Sequence, residues 1–307
     1  MNAQQASRTA LVTALMRSLH TRSAAAPLLH DPWGDVLVPA AVRAVLHERT
    51  LARLAGPALD AARAQPADRV VDAALRGSAA FADVVLRSRY AEDQLQAAVA
   101  RGTRQYVLVG AGFDSFICRQ PDWAADLAVY EVDHPATQGL KRERLRACQV
   151  PLPAAVHFVA ADLAQESLGA ALQRSAFQPA QATFFSWLGV TMYLSRAANL
   201  AALRAMAACA PAGGDLVFSY VDEALLRADH PAAEDFRQMQ RTVASMGEAF
   251  QCGFDPQEMP ALLQEAGLQL LEDLSGTQLL ARYDPQGRSG LAAAGAARLV
   301  HARIPRA

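Results

Sequence analysis

Short apolar runs recur along the chain from residue 105 onward, and polar or helix-forming stretches separate them. Runs of this length, rich in β-branched and aromatic residues, predict buried strands, and helices between them predict a mostly parallel sheet. The first five runs lie at residues 105–109, 127–130, 156–159, 183–187 and 215–221. Two more, 268–274 and 278–282, are joined by only three residues, so we expect them to close the sheet as an antiparallel hairpin.

The first hundred residues show no strand pattern. Helices are predicted there at residues 40–55, 57–64, 68–74, 79–86 and 90–100, after a proline-rich loop at 27–39. The whole pattern predicts an α/β fold, with a Rossmann-like, seven-stranded, mostly parallel sheet preceded by an α-helical lid region. We expect one domain over residues 1–307, divided into a helical cover at 1–100, a core at 101–284 with an insertion at 222–253, and a tail at 285–307.

The stretch between the first two predicted strands carries the clearest chemical signal. Gly110 and Gly112 follow the first apolar run directly, and the second run ends in Glu131 and Asp133. Strand, glycine loop, helix start, strand and acidic residue form the layout of a nucleotide-binding βαβ unit, in which the acid receives ribose hydroxyls. Two glycines also make a tight turn without any ligand, so the motif alone is a weak signal.

Asp114, inside the glycine loop, indicates which nucleotide would bind. A dinucleotide places a pyrophosphate at this loop, and a carboxylate there would repel it. S-adenosyl-L-methionine (SAM) has no phosphate, and its methionine ammonium would be attracted. The third glycine of the dinucleotide motif is also replaced, by Ser115. The loop therefore favours SAM over NAD.

Composition excludes several classes of function. The net charge is −1, from 29 basic and 30 acidic residues, which gives no electrostatic argument for nucleic acid or an anionic membrane as a partner. The longest uncharged run, 175–195, contains proline, glycine and glutamine and does not resemble a membrane span. The four cysteines form no C-x-x-C pair, which predicts reduced thiols, no metal site and a cytoplasmic protein.

The N-terminal stretch leaves two interpretations. Residues 1–30 contain three arginines and no acid, a bias shared with transit peptides. Arg17 interrupts the apolar run early, however, and the leucines follow helical spacing. An amphipathic helix is the simpler explanation.

Several motifs, taken in chain order, resemble the leucine carboxyl methyltransferase family, in its bacterial branch of class I SAM-dependent methyltransferases. They cover roughly residues 7 to 283 and comprise segments 7–10, 87–93, 110–115, 130–133, 161–163, 186–194 and 253–256. The resemblance implies SAM as the cofactor and S-adenosyl-L-homocysteine (SAH) as its product. A departure is Leu188, which stands where founding members have a glutamate, so protein C-terminal leucine is less favoured as the substrate.

The resemblance also implies roles for individual residues. Gly110, Gly112 and Asp114 would contact the methionine moiety, and Arg87, or else Arg89, would bind its carboxylate. The ribose partner would be Glu131, with Asp133 as the second choice, and Asp162 and Leu163 would frame the adenine. By residue type alone, the arginines could equally be solvated surface residues and Asp162 a helix cap.

The expected function is SAM-dependent O-methylation of a small-molecule carboxylate or hydroxyl. A carboxylate attacks as the anion, whereas a hydroxyl needs a general base, for which the sequence offers Tyr193, Tyr220 and His134 as weak candidates. Trp187 or Tyr193 could also stabilise the sulfonium by a cation–π contact, or both could be core residues. Two alternatives are an NAD-dependent oxidoreductase and a non-catalytic SAM-fold protein that binds or assembles with a partner.

Overall fold

Seven strands form one sheet in the computed structural model, which describes residues 6–226, 237, 240–241, 243–244, 248–292 and 297–307. The strands are β1 (Gln105–Val109), β2 (Ala128–Asp133), β3 (Val156–Ala160), β4 (Thr183–Trp187), β5 (Gly214–Val221), β6 (Gln269–Ser275) and β7 (Ala297–Ile304). Their order across the sheet is β3-β2-β1-β4-β5-β7-β6. The first five pair in parallel, and β7 runs antiparallel to both β5 and β6. The predicted α/β class and mostly parallel seven-stranded sheet are confirmed.

Helices precede the sheet and connect its strands. Within the described residues they are α1 (Arg8–Ser23), α2 (Trp33–Leu37), α3 (Ala40–Leu51), α4 (Gly56–Arg63), α5 (Ala67–Arg76), α6 (Ala80–Ala100), α7 (Pro135–Ala147), α8 (Leu168–Gln173), α9 (Arg196–Cys209), α10 (Met259–Glu265) and α11 (Gly276–Tyr283). The central strands β1 and β4 are buried along their whole length, as continuous apolar runs require.

The predicted antiparallel pair is present, but its second strand is not the segment that the sequence pattern predicts. Residues 278–282 lie in α11, because Ser275 and Gln278 form a reciprocal capping box that starts a helix directly after β6. The last strand is β7, within the stretch predicted as a tail. Within the described residues, β6 and β7 are therefore not joined by the predicted three-residue turn. Along the chain α11 lies between them, although the two strands are neighbours in the sheet.

Three helix boundaries also differ from the predictions. The two helices expected on either side of residues 87–89 are one continuous helix, α6. Asp255, Pro256 and Glu258 are typical of a helix start and predict a helix from Pro256. The helix begins instead at Met259, since the Asp255 carboxylate accepts a hydrogen bond from the Gln257 amide in a turn. The residues after the glycine loop form only a short 3-10 turn, Phe116–Cys118.

Much of the predicted insertion at 222–253 lies outside the described residues, and the structure does not test it as a unit. Among the helices of the described ranges, none has both the length and the apolar character needed to cross a bilayer.

Candidate cofactor and acceptor site

A cavity of about 1310 Å³ lies at the carboxyl ends of β1, β2 and β4. β1 and β4 are neighbours in the sheet, but the chain continues from β1 to β2 on one side and from β4 to β5 on the other. The strand order therefore reverses between β1 and β4, and open α/β sheets bind ligands at such a switch point. Residues of α1, α3, α5 and α6 also line it, so the helical region predicted as a lid contributes wall. The volume exceeds the roughly 300–1,000 Å³ of a typical small-molecule site, which leaves room for a second molecule beside a nucleotide.

The glycine loop after β1 passes close to the loop after β4. Gly110 has φ +71°, and a side chain at this position would meet Val190 at 2.7 Å. The Gly112 amide donates a hydrogen bond to the Asp133 carboxylate at the end of β2. The backbone can make this turn only because residue 110 lacks a Cβ.

Asp114 lines the cavity, as predicted, and has a local role as well. Its Oδ1 accepts a hydrogen bond of 2.8 Å from the Phe116 amide and so caps the short turn that follows the loop. One carboxylate oxygen therefore bonds to the loop, and the other oxygen has no hydrogen bond within the described residues and could accept one from a ligand.

A buried network of ion pairs and hydrogen bonds holds the glycine loop in place. Arg17 of α1 donates to Asp31 at 2.7 Å and to the Phe113 carbonyl at 2.7 Å. Arg119 donates to Glu92 and to Ser115 Oγ. Asp31 is fully buried, and the Arg17 and Arg119 guanidiniums hold the pKa of its carboxyl below the usual range despite that burial. The sequence reading missed this network because its members are far apart in the chain.

Of the two candidate arginines, Arg87 lines the cavity and Arg89 does not. The Arg87 guanidinium lies against Gly189, where an added Cβ would be 2.6 Å from Nη2. Within the described residues it has no hydrogen bond or ion pair. Arg89 points elsewhere on α6, where it pairs with Asp93 at 3.0 Å and donates to the Leu28 carbonyl.

The two acidic residues of β2 have different surroundings, and Asp133, the second choice from the sequence, is the one that lines the cavity. Glu131 is 1% exposed, and both its oxygens lie 2.6 Å from Lys141 Nζ, away from the cavity. Asp133 lines the cavity and accepts hydrogen bonds from the Gly112 and His134 amides. Side chains two residues apart on a strand share a face, but Asp133 ends the strand and faces the loop.

The predicted adenine-side residues are only partly brought together. Asp162 lines the cavity, while its two oxygens accept from the Ala164 amide and the Gln165 side chain, so the plain capping role is present too. Leu163 is 40% exposed and does not line the cavity. Trp187 is 1% exposed and packs on Phe218 in the core, which removes it as a sulfonium contact.

Two of the three sequence candidates for a base, His134 and Tyr193, line the cavity. Tyr220 is buried between Asp273 and Arg298, away from the cavity. The Nδ1 of His134 accepts from the Ala136 amide as the cap of α7, and its Nε2 lies 4.0 Å from Asp162.

Tyr193 does line the cavity, but its hydroxyl is a poor base. Burial, with the Glu248 carboxylate nearby, raises the pKa of Tyr193 to about 12. A phenol of that pKa stays protonated near neutral pH.

Asp83 is a cavity residue that the sequence reading missed. It lies on α6 one turn before Arg87 and is 8% exposed. Its Oδ1 is buried without a hydrogen-bond partner, and within the described residues no side chain forms an ion pair with it. A lone aspartate in an apolar helix stretch gives no pattern that could have indicated this position.

Comparisons with known proteins assign the family. Residues 10–207 match the family described as leucine carboxyl methyltransferase. The chain belongs to the leucine carboxyl methyltransferase family. YktD of Bacillus subtilis, provisionally assigned as a SAM-dependent methyltransferase, is 33% identical over 216 residues, which is 70% of each chain. A Mycobacteroides abscessus relative with the same provisional assignment is 35% identical over 187 residues, or 61% of this chain and 55% of its own.

Among solved structures, a DUF574 family protein from Streptomyces avermitilis is similar in fold, with a TM-score of 0.56. The likeness covers 85% of this chain and 96% of that one at 15% identity. Together, the family and the relatives confirm the expected family and SAM as the cofactor, and the chain is a SAM-dependent methyltransferase. The NAD-dependent alternative is set aside.

The cavity fits the cofactor of a leucine carboxyl methyltransferase. It contains an unpaired, half-buried guanidinium at Arg87 and carboxylates at Asp114 and Asp133, beside a glycine loop in which an added Cβ would clash. A cation for a carboxylate, and anions for an ammonium and for ribose hydroxyls, are the groups that SAM requires. Within the described residues, no cluster of three or more His, Cys, Asp or Glu side chains is arranged to hold a metal ion.

Proposed function

We propose that this protein transfers a methyl group from SAM to an oxygen atom of a small-molecule acceptor. The observation that carries the proposal is the Arg87 guanidinium, which is half-buried at the cavity wall against Gly189 and has no hydrogen-bond or ion-pair partner in the described residues. A half-buried cation without a counter-charge is unfavourable, so we infer that an anionic ligand group pairs with it.

The remaining binding roles follow from position. Arg87 would hold the methionine carboxylate of SAM through charge-assisted hydrogen bonds. The free oxygen of Asp114 would attract its ammonium, and Asp133, fixed by the Gly112 and His134 amides, would accept from the ribose hydroxyls. Asp162 lies further along the same edge and would be placed beside the adenine. Bound SAM supplies a methyl group on a sulfonium, ready for in-line displacement.

A small acceptor is favoured by the covering helices. The cavity wall beyond the glycine loop comes from α1, α3, α5 and α6, and its apolar members include Met16, Leu46, Val71 and Leu75. Arg49 and Arg76 lie on the same wall, and a chamber covered by helices suits a compact molecule better than a polypeptide terminus. Leu188 also lines the cavity, where founding family members have a glutamate, and this supports the same choice.

The first test compares thermal unfolding with SAM, SAH, NAD and NADH. A ligand at about 100 times its Kd stabilises the fold by about 2.7 kcal/mol, so a shift of a few degrees is expected with SAM and SAH only. Release of SAH in the presence of small carboxylic acids, alcohols and phenols then tests the transfer. A chain that binds SAM but methylates no acceptor, small or peptide, would favour the non-catalytic alternative.

Asp114→Ala tests the map of the site. We expect it to abolish SAM binding in calorimetry, while the loss of the turn cap costs only about 1 kcal/mol of stability. Unchanged SAM affinity in this variant would show that the cofactor lies elsewhere.

A further inference from the structure

Asp83 is a carboxylate that lines the cavity. It projects from α6, and neither of its oxygens forms a hydrogen bond or an ion pair with the described part of the chain. Arg87 is the charged group that interacts with it, but the two side chains are not within ion-pair distance. A buried carboxylate without a partner is unfavourable by about 1–3 kcal/mol, so we expect a ligand group to bond to the part of the Asp83 carboxylate that lines the cavity.

The surroundings define the ligand group that fits. Met16 of α1, Val71 and Leu75 of α5 and Val84 of α6 line the same cavity, so part of the acceptor's body would be apolar. An ionised acceptor carboxylate placed at Asp83 would meet a like charge, whereas a hydroxyl placed there would donate a hydrogen bond to the Asp83 carboxylate.

We propose that Asp83 accepts the proton of the acceptor's hydroxyl, so that the acceptor is an alcohol or a phenol and not a carboxylic acid. This inference rests on the proposed O-methyl transfer. The hydroxyl oxygen forms a bond to the methyl carbon, the bond from that carbon to sulfur breaks, and sulfur keeps the electron pair. The hydroxyl proton passes to the Asp83 carboxylate, and the products are a methyl ether, SAH and a protonated Asp83.

The titration behaviour of Asp83 suits a base that works near neutral pH. Burial raises the pKa of Asp83 to about 7, against the opposing effect of the Arg87 cation. A base whose pKa lies near the working pH is ionised often enough and still binds the proton well. Other charged or titratable side chains also line the cavity within the described residues: Arg17 of α1, Arg49 of α3, Arg53 just after α3, Arg76 of α5, Asp114, Asp133, His134, Asp162, Tyr193 and Glu248.

The test uses pairs of probe acceptors with one skeleton, such as 2-naphthol with 2-naphthoic acid and a series of phenols with the matching benzoic acids. SAH release is measured for the wild type, Asp83→Asn and a control, Asp93→Asn. Asp93 lies on the same helix and pairs with Arg89 outside the cavity, so this control removes one carboxylate from α6 without touching the site. SAM affinity is measured for each protein by calorimetry.

We expect the wild type to methylate phenols or alcohols and not the matched acids. Asp83→Asn should lower kcat/KM about 10²- to 10⁴-fold, with SAM affinity within about twofold of the wild type. The wild-type kcat/KM should rise with pH and level off above about pH 7, and the variant should lack this inflection. Asp93→Asn should behave as the wild type.

Four results would overturn the assignment. They are preferential methylation of the acids, an Asp83→Asn variant that keeps its rate, an Asp83→Asn variant that loses SAM affinity, and a wild type that binds SAM but methylates no hydroxyl probe. The first two leave the proposed O-methyl transfer standing. A wild type that does not bind SAM at all would instead refute the proposed function itself.

Discussion

Replacing Asp83 by asparagine should stabilise the protein at neutral and alkaline pH, even though it damages the site. The carboxyl group has a pKa of about 7 in the folded chain, against 3.8 as its ordinary value, because burial disfavours the ionised form. A difference of roughly three units, at 1.36 kcal/mol each, corresponds to a cost on the order of 4 kcal/mol for ionising Asp83 in the folded state.

The sign follows from the direction of the shift. Below about pH 4 Asp83 is protonated in both folded and unfolded chains, and the ionisation cost is absent. Between about pH 4 and pH 7 the unfolded chain releases the proton first, so the wild type loses stability as pH rises. Above about pH 7 Asp83 is ionised in both states, and the whole free energy of ionising it in the folded chain lowers the stability of the wild type. Asparagine does not ionise, so the variant does not lose this stability.

The measurement is the free energy of unfolding in urea for the wild type and Asp83→Asn, at pH values from 5 to 8. The variant's advantage should grow with pH toward a few kcal/mol. At an unfolding entropy of about 2.1 cal/mol/K per residue, 4 kcal/mol corresponds to roughly 6 °C in Tm for a chain of 307 residues. A stability difference that does not change with pH would refute the reasoning, since it would mean that Asp83 titrates alike in both states.

Two further pairs of variants test the cofactor residues. Arg87→Met should raise the Kd for SAM about 10- to 100-fold in calorimetry without lowering stability, because the half-buried guanidinium has no hydrogen-bond or ion-pair partner among the described residues to lose. Arg89→Met should leave SAM affinity unchanged, because Arg89 lies outside the cavity. Asp133→Asn should weaken SAM binding. Glu131→Gln should instead lower the free energy of unfolding by roughly 3–5 kcal/mol, because Lys141 is then buried without its counter-charge. Loss of SAM affinity in Arg89→Met, or a stable Glu131→Gln variant that fails to bind SAM, would contradict these placements.

The sequence determined the features that depend on neighbours along the chain. Continuous apolar runs specified β1 and β4 because buried parallel strands need apolar side chains on both faces. The glycine loop and Asp114 were also readable, since a tight turn after a strand and an acid inside it lie within a few residues. The local sequence pattern gave a wrong prediction where the same short segment suits both a strand and a helix. Residues 278–282 suit a strand by composition, but the capping box at Ser275 makes them a helix, and the last strand comes from a stretch with no clear pattern.

Only the tertiary structure decided which polar side chains face the cavity. Arg87 and Arg89 are equivalent in sequence, as are Glu131 and Asp133, and the direction of each side chain depends on how α6 and β2 pack against distant elements. The network that joins Arg17, Asp31 and the glycine loop connects residues nearly a hundred positions apart. Asp83 has no sequence signal at all. Its proposed role arises from burial and from the absence of a partner within the described residues, and both are properties of the packed fold.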